Sequence, residues 1–133
     1  MSMLTTPAQA ASEERTWAML CHLLAFSWVI GIPFGNFLGP VFAWVMKKDQ
    51  YSLVDDQGKE SLNFQISLFI YTMVLTTITV IAVITIVGIL LLPVLISLAL
   101  AIVVFKLICV ITASIQANQG VRYRYPLTIR FIK

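Results

Sequence analysis

The chain has 133 residues, a formal net charge of +3, 59% hydrophobic residues and only 11% charged ones. A soluble domain carries about 25% charged residues, so this composition excludes an ordinary water-facing globule and leaves one domain built in a membrane. Between Ser61 and Asn118 the single formally charged side chain is Lys106. Two apolar stretches, Trp17 to Met46 and Leu62 to Ala117, separate three polar islands: the N-terminal tail, Lys47 to Glu60, and Asn118 to Lys133.

In chain order, residues 1–12 are mostly Ala, Thr, Ser and Gln with one Pro, and read as a flexible tail. Ser12, followed by Glu13 and Glu14, has the pattern of a helix start, with an oxygen cap and acids in the first turn. The domain then spans 13–120. Its first apolar stretch is broken by Gly31, Pro33, Gly35, Asn36, Gly39 and Pro40, a density that marks a turn. The expectation is a helical hairpin: one helix from about Glu13 to Ile30, then a shorter one from about Phe34 to Lys47, kinked at Pro40. Ser52 is placed to cap a third helix, which enters the membrane near Leu62 and runs to about Val87. Its β-branched run would favour a strand in water, but an open strand in lipid leaves backbone groups unpaired, so a helix is expected. Gly88 and Pro93 bracket the next turn, and a fourth helix runs from about Leu92 to Ala117 with Gly120 as its stop.

The fold class expected is therefore all-α: an integral membrane four-helix bundle of two hairpins, the second helix short and Pro-kinked. The turns near Pro33 and Gly88 carry no charge, whereas Lys47, Lys48, Lys59, Arg122, Arg124, Arg130 and Lys133 fall at the other end. By the positive-inside rule that end is cytoplasmic. With four crossings both termini are cytoplasmic; with three the N-terminus is outside. Four is the expectation, because of the Gly/Pro break.

Several side chains could carry chemistry. Lys106 lies about 16 Å inside the last helix, where a charge costs at least about 2.5 kcal/mol. It reads either as an ion, proton or anionic-lipid site or as a lysine whose stem snorkels to a headgroup. His22, the only histidine, reads either as a proton switch or as a hydrogen-bonded packing residue. The third helix carries two polar stripes, Asn63–Ser67–Tyr71 and Gln65–Thr72–Thr76–Thr79. Lys106, His22, Asn63, Gln65 and Thr76 form the candidate intramembrane polar site, while Cys109, Ala113 and Ala117 form a small-residue seam for helix packing. Residues 121–133 form a basic segment, partly alternating in polarity and so extended. It is expected to fold back near Asp55, Asp56 and Glu60, making a cytoplasmic charge cluster with Arg122 and Arg124. No nucleophile–base pair, phosphate loop or nucleotide fingerprint is present, and one His with two separated Cys falls short of a four-ligand zinc site. No catalytic residue, metal or cofactor is assigned.

Four pieces carry a family resemblance: WAMLCH from Trp17, GPVFAWVMKKD from Gly39, VDDQGKESLNFQ from Val54, and ANQGVRYRYPLTI from Ala117. Together they resemble the Tic-twenty-like proteins, small bacterial membrane proteins grouped with a chloroplast-import channel component. The resemblance implies four membrane helices, both ends in the cytoplasm and no catalytic residues. The functional expectation is a non-enzymatic multi-pass protein of a bacterial cytoplasmic membrane. It would act by helix packing with itself or a membrane partner, with the lipid bilayer but no nucleic acid as a further partner. The alternative is a small channel or carrier with a polar path involving Lys106.

Overall fold

The computed structural model describes residues 6–133, apart from the side chains of Ile86 and Val87. Four α-helices and one 3-10 segment make up the fold: α1 (Pro7–Leu23), the 3-10 segment Leu24–Ile30, α2 (Gly35–Lys47), α3 (Ser52–Val83) and α4 (Ile86–Asn118). The all-α expectation holds, with no strand among the described residues. Two helices, α3 and α4, are long and apolar enough to cross a membrane.

Several boundaries differ from those read in the sequence, each for a local reason. The first helix is capped six residues before Ser12, at Thr6, which forms a reciprocal capping box with Gln9 ahead of Pro7. Part of the expected tail is thus ordered helix, while residues 1–5 lie outside the described residues. The same helix stops at Leu23 and tightens into the 3-10 segment, which ends in Gly31 at φ +85°. Ser52 does not cap α3. The N-cap is Tyr51, without a side-chain bond, and the Leu53 N–H is instead taken by a Glu14 carboxylate oxygen at 3.0 Å. A cap thus comes from α1, across 39 residues of sequence. The second turn lies at Ile84–Thr85 rather than between Gly88 and Pro93. Thr85 caps α4 by accepting the Gly88 N–H, and Pro93 sits inside the helix. Gly120, at φ +81°, ends α4 as expected.

The hairpin of α1 and α2 closes by close backbone approach. A Cβ on Gly39 would collide with the Leu24 carbonyl, and one on Gly35 would lie 2.6 Å from Ser27 Oγ. The Ser27 hydroxyl lies 2.7 Å from both the Leu24 and the Gly35 carbonyls, bridging the two arms. Gly58 performs the same service for α3, since a Cβ there would enter the Trp44 indole. These contacts set α2 against α3 with Phe37 beside Phe69, ring centroids 6.0 Å apart.

Packing is confined to one end of the molecule. One core cluster joins Ala18 and Cys21 of α1, Ala43 of α2, Leu53 and Val54 of α3 and Ala117 of α4. A second joins Phe64 and Leu68 of α3, Cys109, Val110 and Ala113 of α4, and Tyr125. Beyond Leu68 on α3, and on the N-terminal side of Cys109 on α4, most described side chains are exposed and most are apolar, with hydroxyl groups such as Thr72, Thr76 and Ser97 and the single cation Lys106 among them. The fold is therefore a packed head from which the α3–α4 hairpin projects. Because the obstacle at Gly39 is backbone, it cannot swing aside. Gly39→Val should destabilise the head by roughly 1–3 kcal/mol, seen as a lower melting temperature by circular dichroism, whereas the exposed Ile108→Val should leave it nearly unchanged.

Candidate functional site

The polar groups of α3 converge on the C-terminal segment. Val121 to Lys133 is extended, runs down the side of α3, turns at Pro126–Leu127 and returns. Among the described residues no backbone hydrogen bond joins its two arms. Side chains of α3 take that place. The Gln57 amide accepts from the Tyr123 N–H at 3.1 Å and donates to the Tyr123 carbonyl at 3.3 Å. Glu60 accepts the Tyr125 N–H at 2.7 Å. Asn63 accepts the N–H groups of Phe131 and Ile132 at 2.9 and 2.8 Å and donates to the Ile132 carbonyl. Ser67 accepts the Ile129 N–H at 2.8 Å while donating to the Asn63 carbonyl. At the tip, the Tyr71 hydroxyl donates to the Leu127 carbonyl at 2.7 Å. Positions 57, 60, 63, 67 and 71 are three or four apart and so share one helical face. We call this the clasp.

Charge reinforces it. Glu60, 2% exposed, takes Arg130 through two bonds of 3.1 Å, with Arg124 at 3.7 Å. Asp56 takes Arg124 in a fork of 2.6 and 3.0 Å, and that carboxylate holds the Arg124 guanidinium above its ordinary range. Arg122 reaches Asp56 only at 4.0 Å. Asp55 faces elsewhere, toward Lys59 at 2.7 Å and the Trp44 indole N–H at 2.9 Å. Of the expected cytoplasmic cluster, then, Asp56, Glu60 and Arg124 come together, with Arg130 added and Asp55 outside.

His22 is fully buried at the centre of the head. Its Nε2 lies 3.0 Å from Gln57 Oε1 and its Nδ1 2.9 Å from the Tyr125 hydroxyl. The neighbours dictate the protons. Gln57 Nε2 faces two acceptors, Asp56 and the Tyr123 carbonyl, so Oε1 is the side turned to His22. An amide oxygen only accepts, so His22 carries its proton on Nε2 and accepts from Tyr125 on Nδ1. Burial pushes the Tyr125 phenol well above its ordinary range, which keeps that hydroxyl a donor. Tyr125 also stacks on Phe64, ring centroids 3.9 Å apart. Every polar group of this chain of bonds is thereby spent on holding the clasp to α1 and α3.

The candidate polar residues do not line one path. His22 and Asn63 belong to the clasp. Thr76 is exposed on the projecting part of α3. Gln65 and Lys106 share a separate cleft with Phe26, Trp28 and Leu68. The small-residue seam is likewise internal: Cys109 and Ala113 pack on Phe64 and Tyr125, and Ala117 on Ala18 and Cys21. The seam is therefore consumed within the chain and offers no face to another molecule. Gln57, Tyr123, Tyr125 and Arg130 were absent from the candidate residues. Their signal was the polar spacing of α3, which continues from Gln57 across Leu62 into the apolar stretch.

The profile of the MamF/MmsF magnetosome magnetite crystal formation protein family matches residues 13–132. The chain belongs to that family. The match begins at Glu13, the partner of Lys47 at 2.8 Å, and ends at Ile132, the last residue gripped by Asn63, so it takes in the head and clasp apart from the first turns of α1 and Lys133. It overturns the resemblance to the Tic-twenty-like proteins. Two of the four pieces behind that resemblance, around Glu60–Asn63 and Tyr123–Tyr125, are the two sides of the clasp, which is a feature of this MamF/MmsF chain. No curated protein and no solved structure matches the chain.

Asn63→Leu strips three hydrogen bonds from the returning arm. It should cost on the order of 2 kcal/mol and open the bond after Arg130 to trypsin, with release of the tripeptide Phe131–Lys133 as the readout. Tyr125→Phe keeps the stacking and leaves His22 Nδ1 without a donor, at a cost of about 1–3 kcal/mol, measured as a shift in the urea unfolding midpoint.

Proposed function

We propose that this chain serves magnetite crystal formation as a non-enzymatic membrane scaffold, crossing the bilayer as one helical hairpin beneath a packed head. The observation that carries this reading is the separation of the molecule into two parts: a head in which a stripe of α3 side chains is paired with the chain's own C-terminal backbone, and a largely uncovered apolar α3–α4 hairpin. From Glu60 to Val83, α3 runs about 35 Å, close to the ~30 Å hydrocarbon thickness of a bilayer. α2 has 13 residues, about 20 Å, too short to cross. In this reading the first hairpin dips part-way, replacing the four-crossing bundle expected from the Gly/Pro break.

The two shallow tips support the dip. The contact between Phe37 and Phe69 brings the tip of the first hairpin to about the level of Tyr71, which holds the tip of the clasp. Each tip presents an exposed apolar residue at positive φ, Phe34 at +54° and Leu127 at +56°, both 74% exposed. Such backbone costs about 1–3 kcal/mol per residue, and lipid around these side chains offsets it. The charged residues other than Lys106 all lie at the head end, which the positive-inside rule assigns to the cytoplasm. Both termini are then cytoplasmic, and the turn at Ile84–Thr85 is on the far side.

Topology and activity can be tested separately. In sealed vesicles with the head outward, Gln50→Cys should react with an impermeant maleimide and Thr85→Cys only after permeabilisation; the native Cys21 and Cys109 are buried. Labelling of Thr85→Cys in intact vesicles would sink the crossing. For the non-enzymatic reading, His22→Asn expressed at the normal membrane level should still support crystals of normal size in magnetite-forming cells. Loss of crystals at an unchanged protein level would count against it.

A further inference from the structure

The cleft beside the clasp has a composition that neither the head nor the hairpin accounts for. Its cavity of ≈ 300 Å³ lies where the 3-10 segment, α3 and α4 meet. Phe26, Trp28, Leu68 and Ile102 supply apolar walls, Gln65 and Lys106 supply a buried amide and a cation, and Asn36 of α2 and Thr72 of α3 add two further polar side chains at its edge. Gln65 is 1% exposed, yet neither its Nε2 nor its Oε1 has a partner. A buried amide without partners costs about 1–3 kcal/mol, so an orphan here points to a group that is absent. Its neighbour Lys106 is half-buried and, among the described residues, has no carboxylate within 4.0 Å. No Asp or Glu lines the cleft.

We propose that this cleft is a binding site for the phosphate headgroup of an anionic phospholipid. Lys106 supplies the counter-charge and Gln65 Nε2 a hydrogen bond to a phosphate oxygen. The Gln65 carbonyl oxygen accepts from a headgroup hydroxyl such as that of glycerol. Depth fits this occupant. Gln65 lies five residues below Glu60, about 7 Å along α3, so the cleft sits just under the ionic layer formed by Glu60, Arg124 and Arg130. The site's volume is at the small end for ligand pockets, about 300–1,000 Å³, and takes a headgroup alone. Acyl chains continue over the exposed apolar surface directly below, at Met73 on α3 and Val103 on α4. A soluble phosphate would leave those walls bare, which favours the lipid as the source. The inference rests on the crossing proposed for α3 and α4.

The test is electron paramagnetic resonance of spin-labelled lipids with the full chain in phosphatidylcholine vesicles. The readout is the preference of the motionally restricted shell for phosphatidylglycerol over phosphatidylcholine. Lys106→Met should lower that preference about five-fold, while Lys106→Arg keeps it. Gln65→Leu, which removes the orphaned amide and is expected to fold, should lower it as well. Inorganic phosphate at constant ionic strength should leave it unchanged. An unaltered preference in Lys106→Met would overturn the site. So would an unaltered preference in Gln65→Leu, which leaves Lys106 merely snorkelling to the headgroups. Displacement by inorganic phosphate would overturn the lipid as occupant. Absence of any restricted lipid would overturn the membrane crossing and the site with it, whereas restricted lipid without preference would overturn the site alone.

Discussion

The structure depends on one constraint: an extended segment with no strand to pair with must still satisfy its backbone. In the C-terminal clasp that need is met by the side chains of a single helix. Gln57, Glu60, Asn63, Ser67 and Tyr71 present amide, carboxylate and hydroxyl groups in a row, and the segment turns so that both arms lie along it. Buried or lipid-facing peptide groups left open would cost several kcal/mol each. The stripe is therefore a structural requirement before it is anything else. It also explains why so polar a row continues into a helix that further on carries only apolar and hydroxyl side chains.

Other features of the head follow from that row. Gln57 cannot grip Tyr123 unless its amide is oriented, and Asp56 and His22 orient it. His22 in turn needs a donor on Nδ1, which Tyr125 provides from within the clasp itself. The ring of interactions closes on α1 through His22 and on α2 through the Trp44–Gly58 contact. The Glu14 cap on Leu53 ties α1 to the start of α3, so the helix bearing the stripe is anchored at its first turn. A cooperative head results, in which the polar groups of this row are turned inward and paired.

Much of this was legible in the sequence, though unevenly. The apolar stretch around Lys106 declared a membrane protein, the Gly31–Pro40 breaks declared a turn, and Gly120 marked the end of α4. Local capping was read less well, for a physical reason. Ser52 is the better local cap, but a carboxylate from α1 does the capping instead, and nothing in the local pattern announces a partner 39 residues away. Pro93 was read as a helix breaker, although the first turns of a helix tolerate proline and membrane helices tolerate it further in. The resemblance to the Tic-twenty-like proteins rested on short polar pieces, and the match over residues 13–132 replaced it. The small residues Cys109, Ala113 and Ala117, which the sequence offers as a seam for helix packing, lie in the two core clusters against this chain's own α1, α3 and Tyr125.

The contrast between Asn63 and Gln65 shows how two similar side chains on one helix come to different ends. They are two residues apart and so about 200° apart around α3. Asn63 faces the clasp, where each of its bonds serves this chain's own backbone. Gln65 faces a cleft between the 3-10 segment, α2 and α4, where neither its Nε2 nor its Oε1 finds a partner and Lys106 brings a cation. Were Gln65 only a packing residue, leucine would fill that place without the cost of an unpaired amide. Sequence position alone placed both in one polar set. Their surroundings separate them into a group that completes the fold and a group left open to something outside it.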